Sequence, residues 1–209
     1  MKKYSPLLMK FLYFFGGLYI VSIGKVMLIY SGYGVDPWTV FHLGVSYHLP
    51  FTVGQISQIV GAVMMIIGWA LKIKPKIGTF LNMYFFGVFL DLNLYLNFVK
   101  EPNSFAMTII YLAIGILTNG IGFGLYLNAE LGAGPRDSFM LGISKVTGKT
   151  AGFIKTCMET MALLIGWLLG GPVGIGTLFY ALFVGTVMQW TLEHVKLPGK
   201  SKPVTSEKL

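Results

Sequence analysis

The sequence carries little charge and almost no cysteine. Only 11% of its 209 residues are charged, whereas about 25% of the residues in soluble domains are charged. The chain therefore has too few charged residues to cover the water-facing surface of a soluble domain of this size. The single cysteine, Cys157, excludes an internal disulfide framework and a thiolate metal site. Its position in an apolar run predicts a packed small residue. The residue alternation of a transmembrane barrel is also missing. These deficits argue against a soluble domain and a membrane barrel.

Apolar sequence is abundant instead. Hydrophobic residues make up 55% of the chain, and the mean hydropathy is +0.70. About 20 apolar residues cross the hydrocarbon core, and a helix satisfies its own backbone there. Six windows have this length, and the first is too long for a signal peptide: 8–30, 53–71, 77–98, 105–128, 151–169 and 175–192. The sequence therefore predicts an all-α polytopic protein with six transmembrane helices in one membrane domain, 1–209.

The chain also repeats itself. A shift of 98 positions matches 23 of the 84 residues from Met9 to Leu92 without a gap. Shared composition explains only part of this, so we expect one folding unit used twice, at 9–92 and 107–190. Three spans per unit turn the second unit upside down, an inverted-repeat plan common in transporters. Several glycines are expected to allow close helix contact: Gly17, Gly24, Gly115, Gly120, Gly122 and Gly124.

The basic residues predict the orientation. With the N-terminus inside, 13 of the 16 Lys and Arg residues fall in inside segments. Such a bias places both termini in the cytoplasm. The segment 196–209 is then a basic cytoplasmic tail beside anionic lipid. The net charge of +8 follows from this topology, and nucleic-acid binding is not expected.

A short helix is predicted between the first and second spans of each unit. Asp36-Pro37-Trp38 and Gly134-Pro135-Arg136-Asp137 each combine an N-cap residue with Pro at the first helical position. Runs of about 10–12 residues follow, too short to span. Each could dip into the membrane, where its N-terminus would favour an anionic group. Each could also lie in the interface as an amphipathic helix.

Several of these motifs resemble one family along nearly the whole chain, from about Phe11 to Trp190. They are the Pro37-Trp38 segment with Gly44, Leu131–Asp137, Gly148-Lys149-Thr150, Gly166–Gly171 and Gly174–Thr177. They are similar to the YczE-like membrane proteins of the YczE/YyaS/YitT grouping. The resemblance implies a multi-pass protein of the bacterial cytoplasmic membrane. It also implies that Gly134, Pro135, Arg136 and Asp137 are signature residues, without a catalytic role.

Polar residues inside the spans are costly and therefore candidates for function. Lys25 and Asp91 both fall in the outer half, where they could form an ion pair. On the cytoplasmic side, Lys155 and Glu159 lie four apart on one helix face, near Arg136 and Asp137. Gln189 is the repeat counterpart of Asp91. Two polar clusters at opposite depths are thus predicted.

Each of these residues also has a structural interpretation. Lys25 could snorkel to the interface, Lys155 and Glu159 could neutralise one another, and Arg136-Asp137 could cap a helix. Glu159 is the best candidate for a functional group, because a carboxylate roughly 13 Å deep can carry a proton.

The most favoured function is movement of an unidentified small molecule or ion across the membrane. The path would follow the repeat interface and include Glu159. Its two ends would be formed by Asp36, Pro37 and Trp38, and by Gly134, Pro135, Arg136 and Asp137. One alternative is a substrate-binding subunit that needs an energising partner; another is a non-transporting scaffold. A homodimer is plausible, because 209 residues is small for such a machine. No enzyme, cofactor or metal site is expected, since the three histidines are scattered.

Overall fold

The computed structural model describes residues 6–132 and 134–195, which form eight α-helices and their connections. The helices are α1 Pro6–Ser31, α2 Pro37–Ser46, α3 Val53–Ala70, α4 Ile77–Leu96, α5 Phe105–Asn128, α6 Pro135–Thr147, α7 Ala151–Leu168 and α8 Ile175–His194. All but α2 and α6 are long and apolar enough to span a membrane, which confirms the six predicted spans. The predicted basic tail, 196–209, lies outside the described residues.

The helices begin where the sequence supplies caps. Asp36 caps α2 by accepting the Thr39 N–H at 3.3 Å, and Pro37 follows at the first helical position. Thr52 and Gln55 form a reciprocal capping box at the start of α3. Gly134 and Pro135 begin α6. Both predicted short helices are therefore present. Each has Pro at its first position, where the backbone N–H would have no partner within the helix.

Helix bounds recur 98 residues apart. The bounds of α3 and α4, Val53–Ala70 and Ile77–Leu96, return as those of α7 and α8. Two loop hydrogen bonds recur in the same way: Gly176 N–H donates to Tyr33 O at 2.7 Å, and Gly78 N–H donates to Leu131 O at 3.2 Å. The architecture therefore carries the same spacing as the sequence.

These two loops also require glycine at matching positions. Gly34 has φ +100° and Gly132 has φ +144°, and residues other than glycine rarely adopt such positive φ angles. A Cβ on Gly34 would lie 2.5 Å from the backbone N of Gly174. Each loop can therefore lie against the start of the last helix of the opposite half.

Helices α1 and α5 cross at the centre through backbone contacts. A Cβ on Gly17 would lie 2.7 Å from Gly122 O, and one on Gly24 would lie 2.9 Å from Gly115 O. Such distances leave no room for a side chain, so the predicted close contact of these glycines is confirmed. Small residues allow helix backbones to approach in this way where lipid gives no hydrophobic driving force.

Each short helix runs beside one half of a long helix from the other half of the chain. Helix α6 follows α3 from its middle to its end: Pro135 lies beside Gly61, Phe139 beside Gly68, and Gly142 against Ile73. Helix α2 follows the second half of α7, where Gly166 meets the backbone of Val40 and Phe41. The N-termini of α2 and α6 thus both lie in the interior of the bundle.

The prediction for Cys157 is wrong. This side chain is exposed on α7, whereas Ile154 and Ala162 of the same helix are buried. Both packed and exposed positions of a membrane span are apolar, so an apolar run alone does not show which of them is packed.

Candidate functional site

The centre of the bundle holds a buried ion pair between Lys25 of α1 and Asp36 at the start of α2. The exposed fractions of the two side chains are 3% and 6%. The Lys25 ammonium also donates to the Tyr180 hydroxyl at 3.2 Å, and Asp36 accepts from the Thr39 hydroxyl. The ammonium lies 5.8 Å from the centre of the Phe123 ring. Four helices therefore position this pair.

Arg136, from the first turn of α6, meets α2 at the same place. Its guanidinium lies 4.6 Å from the centre of the Trp38 ring, a cation–π arrangement favoured for arginine. Its Nη2 lies 3.5 Å from Nε2 of the buried His42. Trp38 and His42 are four residues apart, so one face of α2 presents both rings to Arg136.

Asp137 joins this cluster through α5. Its carboxylate is hydrogen-bonded to the Tyr126 hydroxyl, and Tyr126 is buried against Phe14 at the α1–α5 crossing. The structure therefore connects two cations, Lys25 and Arg136, with two carboxylates, Asp36 and Asp137. Their formal charges cancel within one cluster.

Lys155 and Glu159 of α7 lie at the edge of this charged centre. The ammonium of Lys155 lies 4.0 Å from the carboxylate of Glu159, with exposed side-chain fractions of 56% and 41%. Glu159 interacts electrostatically with Asp36, Asp137 and Arg136. Polar groups thus continue from the buried pair to an open face of α7.

The charges in the short helices perturb one another. Burial alone would raise the pKa of Asp36, but the ammonium of Lys25 and the hydroxyl of Thr39 hold it at about 2. Burial and the neighbouring Arg136 keep the pKa of His42 well below its usual value. Burial raises the pKa of Asp137 against the opposing charges of Lys155 and Arg136. At neutral pH, Asp36 is therefore ionised and His42 is neutral.

The expected ion pair between Lys25 and Asp91 does not form. Asp91 caps α3 instead, where it accepts from the Thr52 hydroxyl and from Gly54 N–H at 2.8 Å. Lys25 pairs with Asp36, because the loop after α1 turns back into the bundle and carries Asp36 beside it. The position of a residue along its helix predicts its depth in the membrane. It does not predict which helix faces contact one another.

The two polar clusters predicted at opposite depths are one cluster. Lys25 of α1 contacts Asp36 of α2 and Tyr180 of α8, and α2 also contacts Arg136 of α6. Asp137 of α6 joins them through its electrostatic interaction with Arg136. Gln189 lies apart from it and donates to Glu193 on its own helix at 2.7 Å. Gly134 and Pro135 supply the cap and first turn that place Arg136.

Five contributors to this centre were not expected from the sequence: Thr39, His42, Phe123, Tyr126 and Tyr180. The i, i+4 spacing of Trp38 and His42 was a usable signal for His42. Nothing distinguishes the aromatic residues from those of the interfacial belts, because hydropathy does not reveal which ring faces a buried charge. Among residues 6–132 and 134–195, no three His, Cys, Asp or Glu side chains are placed to hold a metal ion.

Six spanning helices and a buried ionic centre define a polytopic α-helical membrane protein. The chain belongs to the family described as "Family of unknown function (DUF6198)", whose model matches residues 8–193. The resemblance to the YczE-like proteins is thereby confirmed, and two relatives carry the names of that grouping.

The chain is 36% identical over 193 residues to "Uncharacterized membrane protein YczE" of Bacillus subtilis, covering 90% of this chain and 87% of that protein. It is 35% identical over 182 residues to an "Uncharacterized protein" of Haemophilus influenzae, with 87% and 83% covered. It is 28% identical over 194 residues to "Uncharacterized protein YyaS" of Bacillus subtilis, with 91% and 93% covered. No solved structure matches this chain.

Proposed function

We propose that the protein moves a small molecule or ion across the membrane, through a site where two inverted repeats meet. The observation that carries this proposal is the charged centre formed by Lys25, Asp36, Arg136 and Asp137. Charged side chains within a bundle of membrane spans are expensive, and they commonly mark substrate or ion pathways. Residues of both units contribute to this centre, as expected for a site between repeats.

The inverted-repeat arrangement is supported by reciprocal contacts. Gly24 approaches Gly115 O, and their counterparts 98 residues along, Gly122 and Gly17, approach one another in return. The two loop hydrogen bonds of Tyr33 and Leu131 are related in the same way. An odd number of spans per unit makes the related units antiparallel across the membrane.

We further propose that α2 and α6 are re-entrant rather than interfacial. Pro135 lies beside Gly61, the midpoint of the spanning helix α3, and Asp36 reaches Lys25, about 9 Å from the end of α1 at 1.5 Å per residue. Two helices that lay flat on opposite surfaces could not bring Arg136 within 4.6 Å of Trp38. Irregular backbone at such depth is tolerated where protein surrounds it.

The side that carries both termini is proposed to be cytoplasmic, in a bacterial inner membrane. The loop between α3 and α4 supports this orientation, because it carries Lys72, Lys74 and Lys76, whereas the loop between α4 and α5 carries only Lys100. Short cytoplasmic loops are enriched in such residues.

The proposal is tested by ligand binding followed by flux. Thermal unfolding of the detergent-purified protein is measured across metabolites, inorganic ions and pH values. A ligand that binds the native state is expected to raise the unfolding temperature saturably. Arg136→Ala should abolish the shift, whereas Lys145→Ala, an exposed residue of the same helix, should retain it.

The ligand identified is then offered to proteoliposomes that contain only this protein. Saturable uptake that Arg136→Ala abolishes supports transport. A ligand that binds but enters only with a co-purifying ATPase would identify a binding subunit instead. A folded protein that no ligand shifts would argue for the scaffold.

Glu159 is the proposed proton carrier. The charges that act on it belong to Lys155 on its own helix, Asp36 of α2, Arg136 and Asp137 of α6, and Lys25 of α1. Glu159→Gln keeps the side-chain shape but removes the titratable proton. We expect uptake driven by a pH gradient to fall at least about tenfold, in the range of one lost proton-transfer group.

The matched control is Glu101→Gln, which changes an exposed loop residue and should leave uptake unchanged. Both variants should unfold near the wild-type temperature. Full pH-driven uptake by folded Glu159→Gln would exclude this residue as the proton carrier.

A further inference from the structure

Helices α3 and α4 have the same bounds as α7 and α8, shifted by 98 residues. The contact between α3 and α4 nevertheless differs from the contact between α7 and α8. In the first half, α3 and α4 pack together: a Cβ on Gly54 would lie 2.2 Å from Gly87 O, and one on Gly87 would lie 2.6 Å from Gly54 O. Gln58 closes the same contact by donating to Tyr84 O at 2.9 Å. Asp91 of α4 caps the first turn of α3. We call this contact the α3–α4 seal.

The corresponding contact in the second half is open. Gly152 and Gly185 are the counterparts of Gly54 and Gly87, and a Cβ on either would meet no described atom of another helix or loop within 4 Å. Gln189, the counterpart of Asp91, bonds to Glu193 on its own helix, and Thr156, the counterpart of Gln58, bonds to Gly152 O. Neither side chain joins α7 to α8. We call this opening the α7–α8 gap.

Polar residues border the gap on α7. Gly152, Lys155, Thr156 and Glu159 follow at i, i+3, i+4 and i+7, which is one face of a helix. Lys155, Thr156 and the Glu159 carboxylate are exposed, although they lie roughly 6–12 Å along the span from its start. Two charged side chains left exposed at that depth require water, since lipid cannot solvate them.

We infer that this conformation opens toward the side of the termini, with the α7–α8 gap as a water-filled entrance to the charged centre and the α3–α4 seal closing the opposite side. The inference rests on the proposed transport function. In an inverted repeat the two units can exchange conformations, so the seal would open when the gap closes. Lys155 and Glu159 line the entrance.

Thiol labelling tests the entrance without any substrate. Thr156→Cys is introduced into a Cys157→Ser background, and the full-length protein in native vesicles is treated with a membrane-impermeant maleimide. Its matched control is Gln58→Cys in the sealed contact. The native Cys157 serves as a second control, because it lies one position, and thus 100°, further round α7.

We expect Thr156→Cys to react from the side of the termini about tenfold faster than native Cys157, because only a hydrated thiol ionises to the reactive thiolate. Gln58→Cys should resist the reagent from both sides, because the Gly54–Gly87 backbone contact and the Asp91 cap remain after the bond to Tyr84 O is lost. Equal, slow labelling of Thr156→Cys and Cys157 would overturn the inference, since the α7–α8 gap would then not hold water. Fast labelling of Gln58→Cys would equally contradict a closed seal.

Asp91→Asn tests the exchange of the two contacts. It removes the carboxylate that joins α4 to the start of α3, and charge-assisted bonds of this kind are strong. The population should shift, so that Gln58→Cys labels about fivefold faster from the far side and Thr156→Cys labels more slowly. Unchanged rates at both positions would exclude the coupled exchange.

These results are independent of the flux assay. If Thr156→Cys labels quickly but the protein neither binds nor moves any ligand, the water-filled entrance is supported and the transport function is contradicted. If Thr156→Cys does not label but uptake is saturable, the entrance is contradicted and the transport function is retained.

Discussion

Replacing Asp36 with Asn is expected to destabilise the protein by about 3–5 kcal/mol, because the buried ammonium of Lys25 would lose its counter-charge. Lys25→Met should cost a similar amount, since it leaves Asp36 unpaired. The double variant, Lys25→Met with Asp36→Asn, should recover most of the loss, because neither charge then remains uncompensated. Both side chains are more than nine-tenths buried, so solvent provides little relief. The measurement is reversible unfolding in mixed micelles.

The same three variants separate structure from function. If the pair serves transport, the double variant will be stable yet will not take up the ligand of the flux assay. Lys145→Met, which removes an exposed charge on α6, should change neither property. A double variant whose loss equals the sum of the two single losses would show that the charges act independently and would refute the ion pair as the cause.

Gly17→Ala and Gly16→Ala should change stability in opposite directions. A Cβ on Gly17 would lie 2.6 Å from Tyr126 N and 2.7 Å from Gly122 O, whereas one on Gly16 would meet nothing within 4 Å. The first substitution pushes α1 from α5 and should cost about 1–3 kcal/mol through overpacking. The second only improves helix propensity and should stabilise by up to about 1 kcal/mol.

The two glycines are adjacent in one helix, so differences in expression and depth are minimal. The measurement is again unfolding in micelles, supported by size-exclusion chromatography. A neutral Gly17→Ala would mean that α1 and α5 separate without loss, contrary to a crossing held by backbone contact.

The helices were predictable because length, hydropathy and caps act locally. Six spans and two Pro-initiated helices follow from runs such as Val53–Ala70 and from Pro37 and Pro135. The predicted helix bounds agree with the observed ones within a few residues, because N-cap residues such as Asp36 and Thr52 fix where a helix begins. The inverted arrangement of the repeats stays a prediction, for which the reciprocal contacts of Gly17, Gly24 and their counterparts give support.

The site was predictable only in its parts. Depth placed Lys25 correctly in its helix, but its partner depends on how the loop after Ser31 turns, which hydropathy does not encode. The sequence assigned Arg136 to one surface and Trp38 to the other, whereas the structure stacks them. Tertiary contacts between distant segments decided each pairing, and no periodic pattern in either segment reveals them.

The contact of Lys25 with Phe123 bears on the symmetry of the charged centre. These residues are counterparts 98 positions apart, and the ammonium lies 5.8 Å from the ring centre. Lysine at both positions would set two positive charges about 6 Å apart, a repulsion of about 3 kcal/mol at an effective dielectric of 20. Two identical subunits assembled about an axis could not avoid that penalty while keeping the lysine. In the predicted repeat, one unit holds the cation and the other its aromatic cover, an asymmetry that two identical subunits could not have.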